Sequence, residues 1–171
     1  IIEAIIENLE IKKTLFNNIE KHRKKNSIIS SNTSGIPINQ MIQGRSDDFC
    51  KNFCGTHFFN PPRYLKLLEI IPSQKTNPNL INFLMNYGEK FLGKKTVLCK
   101  DTPAFIANRI GIAGIASLFN IIKKIDLSIE EIDTLTGTII GRPKSATFRT
   151  CDLVGLDTLN NVAKGVYDNC S

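Results

Sequence analysis

The chain has 171 residues, 42% of them hydrophobic and 22% charged, and a formal net charge of +6. That length suits one domain or two small ones, and no apolar run approaches a membrane span, so the composition is that of a soluble globular protein. The basic excess comes partly from Lys21-His22-Arg23-Lys24-Lys25, which has no interleaved aromatics and reads as a solvated helix end rather than a nucleic-acid patch. The five cysteines (Cys50, Cys54, Cys99, Cys151, Cys170) are scattered without zinc-ligand spacing. They are expected to be reduced thiols of a cytoplasmic protein, mostly core fillers, with no metal site. The chain opens on Ile1-Ile2-Glu3-Ala4-Ile5-Ile6 without a Met or a basic-then-apolar leader, and is therefore expected to be a fragment of a longer protein.

In chain order, residues 1–6 read as a buried strand, and Asn8 can cap a helix running to about Lys24. Leu9, Leu15, Phe16 and Ile19 keep to one side of it at helical spacing, with Lys12, Lys13 and Glu20 elsewhere. Residues 27–30 make a short strand closed by the polar turn 31–35, and Pro37 can open a short helix through Gln43. This alternation argues for a parallel sheet. After a polar loop at 44–48 come a strand holding His57 and a strand from Leu65 to Ile71. Residues 79–92 form an amphipathic helix with Leu80, Phe83, Leu84, Tyr87 and Phe91 on its apolar side and Gly93 as its cap. Thr96–Cys99 is a final strand. Thr102 can then act as N-cap, with Pro103 at the first position of a long apolar helix to about Lys124. Beyond it only helices are expected, from Ser128 to about Leu135 and from Leu156 to about Tyr167, with a break at residues 141–143. The expected architecture is thus an α/β domain over residues 1–100 followed by an all-α domain over residues 101–171.

Ligands of parallel α/β sheets sit at the carboxyl ends of the strands. Glu7-Asn8, the 31–34 turn and His57-Phe58-Phe59-Asn60 fall at three such ends. Each feature has a plainer explanation: a helix cap, a satisfied loop, and an Asn that precedes proline. His57 by itself reads as a core histidine, and Glu69 as a solvent-facing strand residue. Asn108 interrupts an otherwise apolar helix, where Asn is a poor residue. Three polar strand ends converging on one edge with a histidine point to a site.

These residues carry a resemblance. Asn32-Thr33-Ser34, Gly55-Thr56-His57-Phe58-Phe59-Asn60-Pro61-Pro62, Glu69, and Lys100-Asp101-Thr102-Pro103 with Phe105-Ile106-Ala107-Asn108-Arg109 resemble the 3-hydroxyacyl-CoA dehydrogenase family in order and spacing. Residues 141–149 and 152–157 resemble its bacterial multifunctional β-oxidation forms, in which an enoyl-CoA hydratase module accompanies the dehydrogenase.

The resemblance implies the C-terminal part of a Rossmann-like NAD-binding domain followed by a helical domain that makes a homodimer. It implies NAD-dependent oxidation of a 3-hydroxyacyl-CoA in fatty-acid β-oxidation. His57 would be the base and Glu69 the carboxylate orienting it, with Ser34 and Asn108 around the substrate oxygen. Glu7, Lys12, Ser34 and Asn60 would contact the cofactor. The G-x-G-x-x-G turn that cradles a pyrophosphate is not in the sequence, so this piece alone is expected to bind NAD poorly and turn over little. A non-catalytic helical dimerisation or scaffold module is the alternative reading, supported by Ile110, Ile112, Ile115, Leu118, Phe119, Ile121 and Ile122, more apolar residues than one core face needs.

Overall fold

The computed structural model describes residues 1–169, so the expectation for Cys170 lies outside the described residues. By its own contacts the chain divides into two units, the first ending at Ile106 and the second starting at Ala107. Residues 101–106, expected with the helical half, belong to the first.

Among the described residues of the first unit, five strands form one sheet in sequential order: β1 (Ile2–Glu3), β2 (Ile29–Ser31), β3 (Phe53–Phe58), β4 (Leu67–Pro72) and β5 (Lys95–Leu98). β1, β2 and β3 are parallel, as are β4 and β5, but β4 runs antiparallel to β3. The expected parallel sheet is therefore a mixed one. Only residues 59–66 join β3 to β4, too few for the helical crossover that a parallel return requires. The strand expected over residues 1–6 also shrinks to two residues. Ile1, Ile2, Ile5 and Ile6 are exposed and only Glu3 of this stretch is buried.

The helices of this unit are α1 (Leu9–His22), α2 (Ile38–Met41), α3 (Asp47–Lys51) and α4 (Pro78–Lys90). Asn8 caps α1 through its side chain, as its sequence position indicates. Phe16 and Ile19 face inward as expected, but so does Lys12, which is fully buried. The basic run after α1 is not wholly solvated either. Arg23 is pulled inward by Asp48 (2.5 Å) and lies over the ring of Phe49. α3 begins inside what reads as a polar loop over residues 44–48; Ser46 caps it and Asp47 and Asp48 sit favourably in its first turn.

Side chains alternate across the sheet and fill two cores. On one face Phe16, Phe49 and Phe53 make edge and stacked ring contacts, with Ile38, Met41, Ile71 and Phe105 beside them. Gly55 lets α2 approach this face, because a Cβ there would lie 2.8 Å from Ile38 Cδ1. On the other face Cys54, Leu68 and Ile70 meet Ile81, Leu84 and Met85 of α4. Phe83, Tyr87 and Phe91, expected on the apolar side of α4, are exposed and stack on one another instead.

The second unit contains α5 (Ala107–Ile122), α6 (Ile129–Thr136), a 3-10 turn (Thr138–Ile140), α7 (Phe148–Val154) and α8 (Leu156–Asn169). α5 starts four residues later than Pro103 suggests, since Ala104 and Phe105 adopt left-handed φ values of 58° and 51°. α6 opens with a complete capping box between Ser128 and Glu131. α7 escapes a local reading because its cap is tertiary: Asp133 of α6 accepts the backbone N–H groups of Thr147, Phe148 and Arg149. No described helix is long and apolar enough to cross a membrane.

Candidate active site

The register of β3 and β4 sets His57 directly opposite Glu69. His57 Nδ1 and Glu69 Oε2 are 2.7 Å apart, and the two residues are 4% and 1% exposed. An ionised carboxylate only accepts hydrogen bonds, so Nδ1 is the donor to Glu69, and in the neutral imidazole the lone pair is then on Nε2. The rings of Phe59 and Phe105 flank the imidazole, with centroids at 4.4 Å and 5.7 Å. The other oxygen of Glu69, Oε1, accepts the Ile106 backbone N–H at 3.1 Å. Burial, and then the neighbouring Glu69 carboxylate, push the Cys99 thiol up to about 12, so it stays protonated beside that carboxylate.

A second polar group lies at the carboxyl ends of β1 and β2. Glu7 Oε1 accepts from Thr33 Oγ1 (2.6 Å), Ser34 N (2.8 Å) and Gly35 N (3.3 Å), which folds the 33–35 turn around the carboxylate. Lys12 Nζ contacts Glu7 Oε2 at 3.4 Å, but its closer partner is Glu3 Oε1 at 2.7 Å. Glu3 Oε2 in turn accepts from Ser31 Oγ at 2.5 Å. Asn32 Oδ1 accepts from Phe58 N (2.9 Å), tying the turn to the end of β3, beyond which Asn60 is exposed.

The structure thus joins His57 to Glu69, and Glu7 to Ser34 and Lys12. Asn108 is the second residue of α5, half-buried and in the other unit. It sits in a first helical turn, where Asn is well tolerated, not mid-helix as expected. Glu3 has no motif of its own, its only trace being an acid inside an apolar run, whereas Asp101 and Ile106 lie in the block after Lys100 without any sign there of their contacts to the start of α2 and to Glu69.

The residues present fit part of a dinucleotide. An accessible carboxylate (Glu7), a half-buried hydroxyl (Ser34) and an exposed amide (Asn60) suit ribose and carboxamide groups laid across the ends of parallel strands. Lys12 fits only indirectly, because it is 1% exposed and its ammonium is already engaged.

A mixed α/β sheet carries a buried His–Glu pair near the carboxyl ends of its parallel strands and is followed in the chain by a helical unit. Residues 1–102 match the NAD-binding domain of 3-hydroxyacyl-CoA dehydrogenases and residues 105–171 their C-terminal domain. The chain belongs to the 3-hydroxyacyl-CoA dehydrogenase family. It is 56% identical over 168 residues to a probable 3-hydroxyacyl-CoA dehydrogenase of Bacillus subtilis, covering 98% of this chain and 21% of that protein. It is 37% identical over 169 residues to a putative fatty acid oxidation complex trifunctional enzyme of Rickettsia felis, covering 97% of this chain and 23% of that protein. Among solved structures, (S)-3-hydroxybutyryl-CoA dehydrogenase from Ralstonia eutropha superimposes with a TM-score of 0.87 at 31% identity, over 98% of this chain and 58% of the other. The chain therefore spans less than a quarter of the two curated relatives. Relatives that are dehydrogenases along the whole chain speak against the purely structural helical module.

Proposed function

We propose that the protein carrying this chain oxidises 3-hydroxyacyl-CoA to 3-oxoacyl-CoA with NAD, in fatty-acid oxidation. The observation that carries the reading is the buried cross-strand pair in which Glu69 fixes the protonated Nδ1 of His57 and leaves Nε2 basic. Bound NAD supplies the hydride acceptor. His57 Nε2 takes the proton of the 3-hydroxyl as the hydride leaves the same carbon, and a carbonyl forms. Glu69 holds the ring in line and stabilises the imidazolium that results. Ser34 and Asn108 hydrogen-bond around the substrate oxygen, and Glu7 and Asn60 contact the nicotinamide ribose and carboxamide. Lys12 acts through Glu7.

The same reading extends to assembly. The apolar α5 has no fully buried residue, and Ile110 and Ile121 are exposed, which supports a homodimer formed through the helical unit. Likeness to a putative fatty acid oxidation complex trifunctional enzyme supports a fused hydratase module in the whole protein. The deciding experiment is His57→Gln in the full-length protein, followed by NADH formation from a 3-hydroxyacyl-CoA. Turnover is expected to fall by roughly 10²–10⁴-fold; an unchanged rate in folded protein overturns the assignment of the base.

A further inference from the structure

Ala104 and Phe105 are consecutive non-glycine residues with left-handed backbone, at φ 58° and 51°. Such conformations are unfavourable for residues with a Cβ and persist where the surroundings over-determine them, often at functional sites. Here both sides of the turn are tied down. On one side both Asp101 carboxylate oxygens are held at the start of α2: Oδ1 accepts Ile38 N (2.8 Å), and Oδ2 accepts Asn39 N (2.8 Å) and Asn39 Nδ2 (2.6 Å). On the other side the Ile106 amide donates to Glu69 Oε1, and the Phe105 ring, 2% exposed, lies against His57.

From this geometry we infer that residues 101–106 are a positioning strap for the His57–Glu69 pair, with Asp101 its anchor and Phe105 and the Ile106 amide its working contacts. Each carboxylate oxygen of Glu69 has a donor, His57 Nδ1 on Oε2 and the Ile106 backbone amide on Oε1. The strap therefore fixes the rotation of Glu69, and through it the tilt of His57, while the Phe105 ring packs against the imidazole. None of these residues meets substrate or cofactor in this role. The inference rests on the reading of His57 as base.

The test uses the full-length protein with NAD and a 3-hydroxyacyl-CoA. Phe105→Leu keeps the buried volume nearly constant but loses the ring contact and loosens the Ile106 amide. Turnover should fall on the order of ten- to a hundredfold, as small misplacements do, with KM for NAD little changed. Relieved of the amide, Glu69 holds its charge less dispersed and raises the proton affinity of the pair. The acidic limb of the kcat/KM profile should therefore move to higher pH, a shift that a purely structural role would not produce. The Cys99 thiol also faces Glu69 and stays protonated throughout that range. Asp101→Asn, which keeps size but loses one acceptor, should move the same limb in the same direction, and it decides the matter if Phe105→Leu does not fold. Folded variants with wild-type kcat and an unmoved limb overturn the strap while His57→Gln remains inactive. If His57→Gln is active, the base assignment itself fails, and the strap with it.

Discussion

Glu69→Gln is the sharpest probe of the proposed chemistry, because it removes a charge and almost no volume. Glu69 Oε2 faces His57 Nδ1 at 2.7 Å, and its Oε1 accepts Ile106 N at 3.1 Å. A glutamine amide has one acceptor and one donating NH2 group, so either flip leaves an N–H facing an N–H. The imidazolium formed during oxidation also loses its counter-charge. At a charge separation of about 4 Å and an effective dielectric near 20, that attraction is about 4 kcal/mol. A neutral hydrogen bond to the amide oxygen recovers about 1 kcal/mol. A net loss of about 2–3 kcal/mol in the transition state lowers kcat roughly 30- to 150-fold. The assay is NADH formation by the full-length variant over a pH series, with circular dichroism to verify folding. Turnover within threefold of wild type would refute the view that the Glu69 charge supports His57.

Three further outcomes follow from the rest of the unit. Lys12→Met leaves Glu3 as a buried uncompensated carboxylate facing only Ser31 and the Ile5 amide; urea unfolding should show a loss of about 3–5 kcal/mol, and a neutral result would mean the pair is dispensable. Asp48, held down chiefly by its Arg23 hydrogen bond, and Glu20 and Asp133, where burial raises the carboxyl but hydrogen bonds from Ser46 and from the 147–149 amides outweigh it, all titrate below their ordinary values. Unfolded chains bind more protons in that range, so this stability is present above about pH 4 and is lost as pH falls through the lower folded values. Asp133→Asn should flatten the acid unfolding curve seen by circular dichroism, and curves of unchanged slope would contradict the assignment. Burial pushes the Cys54 and Cys99 thiols up to about 12. Neither should react with iodoacetamide at neutral pH before denaturation, as read by peptide mass spectrometry; rapid native labelling of Cys54 would show that its surroundings open.

Local chemistry determined much of this protein on its own. Asn8, and Ser128 with Glu131, mark helix starts because capping needs only neighbouring residues, whereas α4 ends at a Phe91 cap two residues before the expected Gly93. The motif around His57, with Glu69 and the block after Lys100, identified the family and named the pair that the strands later join. Tertiary structure decided what depends on partners distant in sequence. It reversed β4, because eight connecting residues cannot cross over a sheet. It buried Lys12, whose charge is tolerable only beside Glu3. It gave α7 its start through Asp133, and it delayed α5 by bending residues 104 and 105 into left-handed backbone. His57 and Glu69 are legible as residues, but their function as a pair rests on register: an offset of a single residue would turn one of them to the opposite face of the sheet.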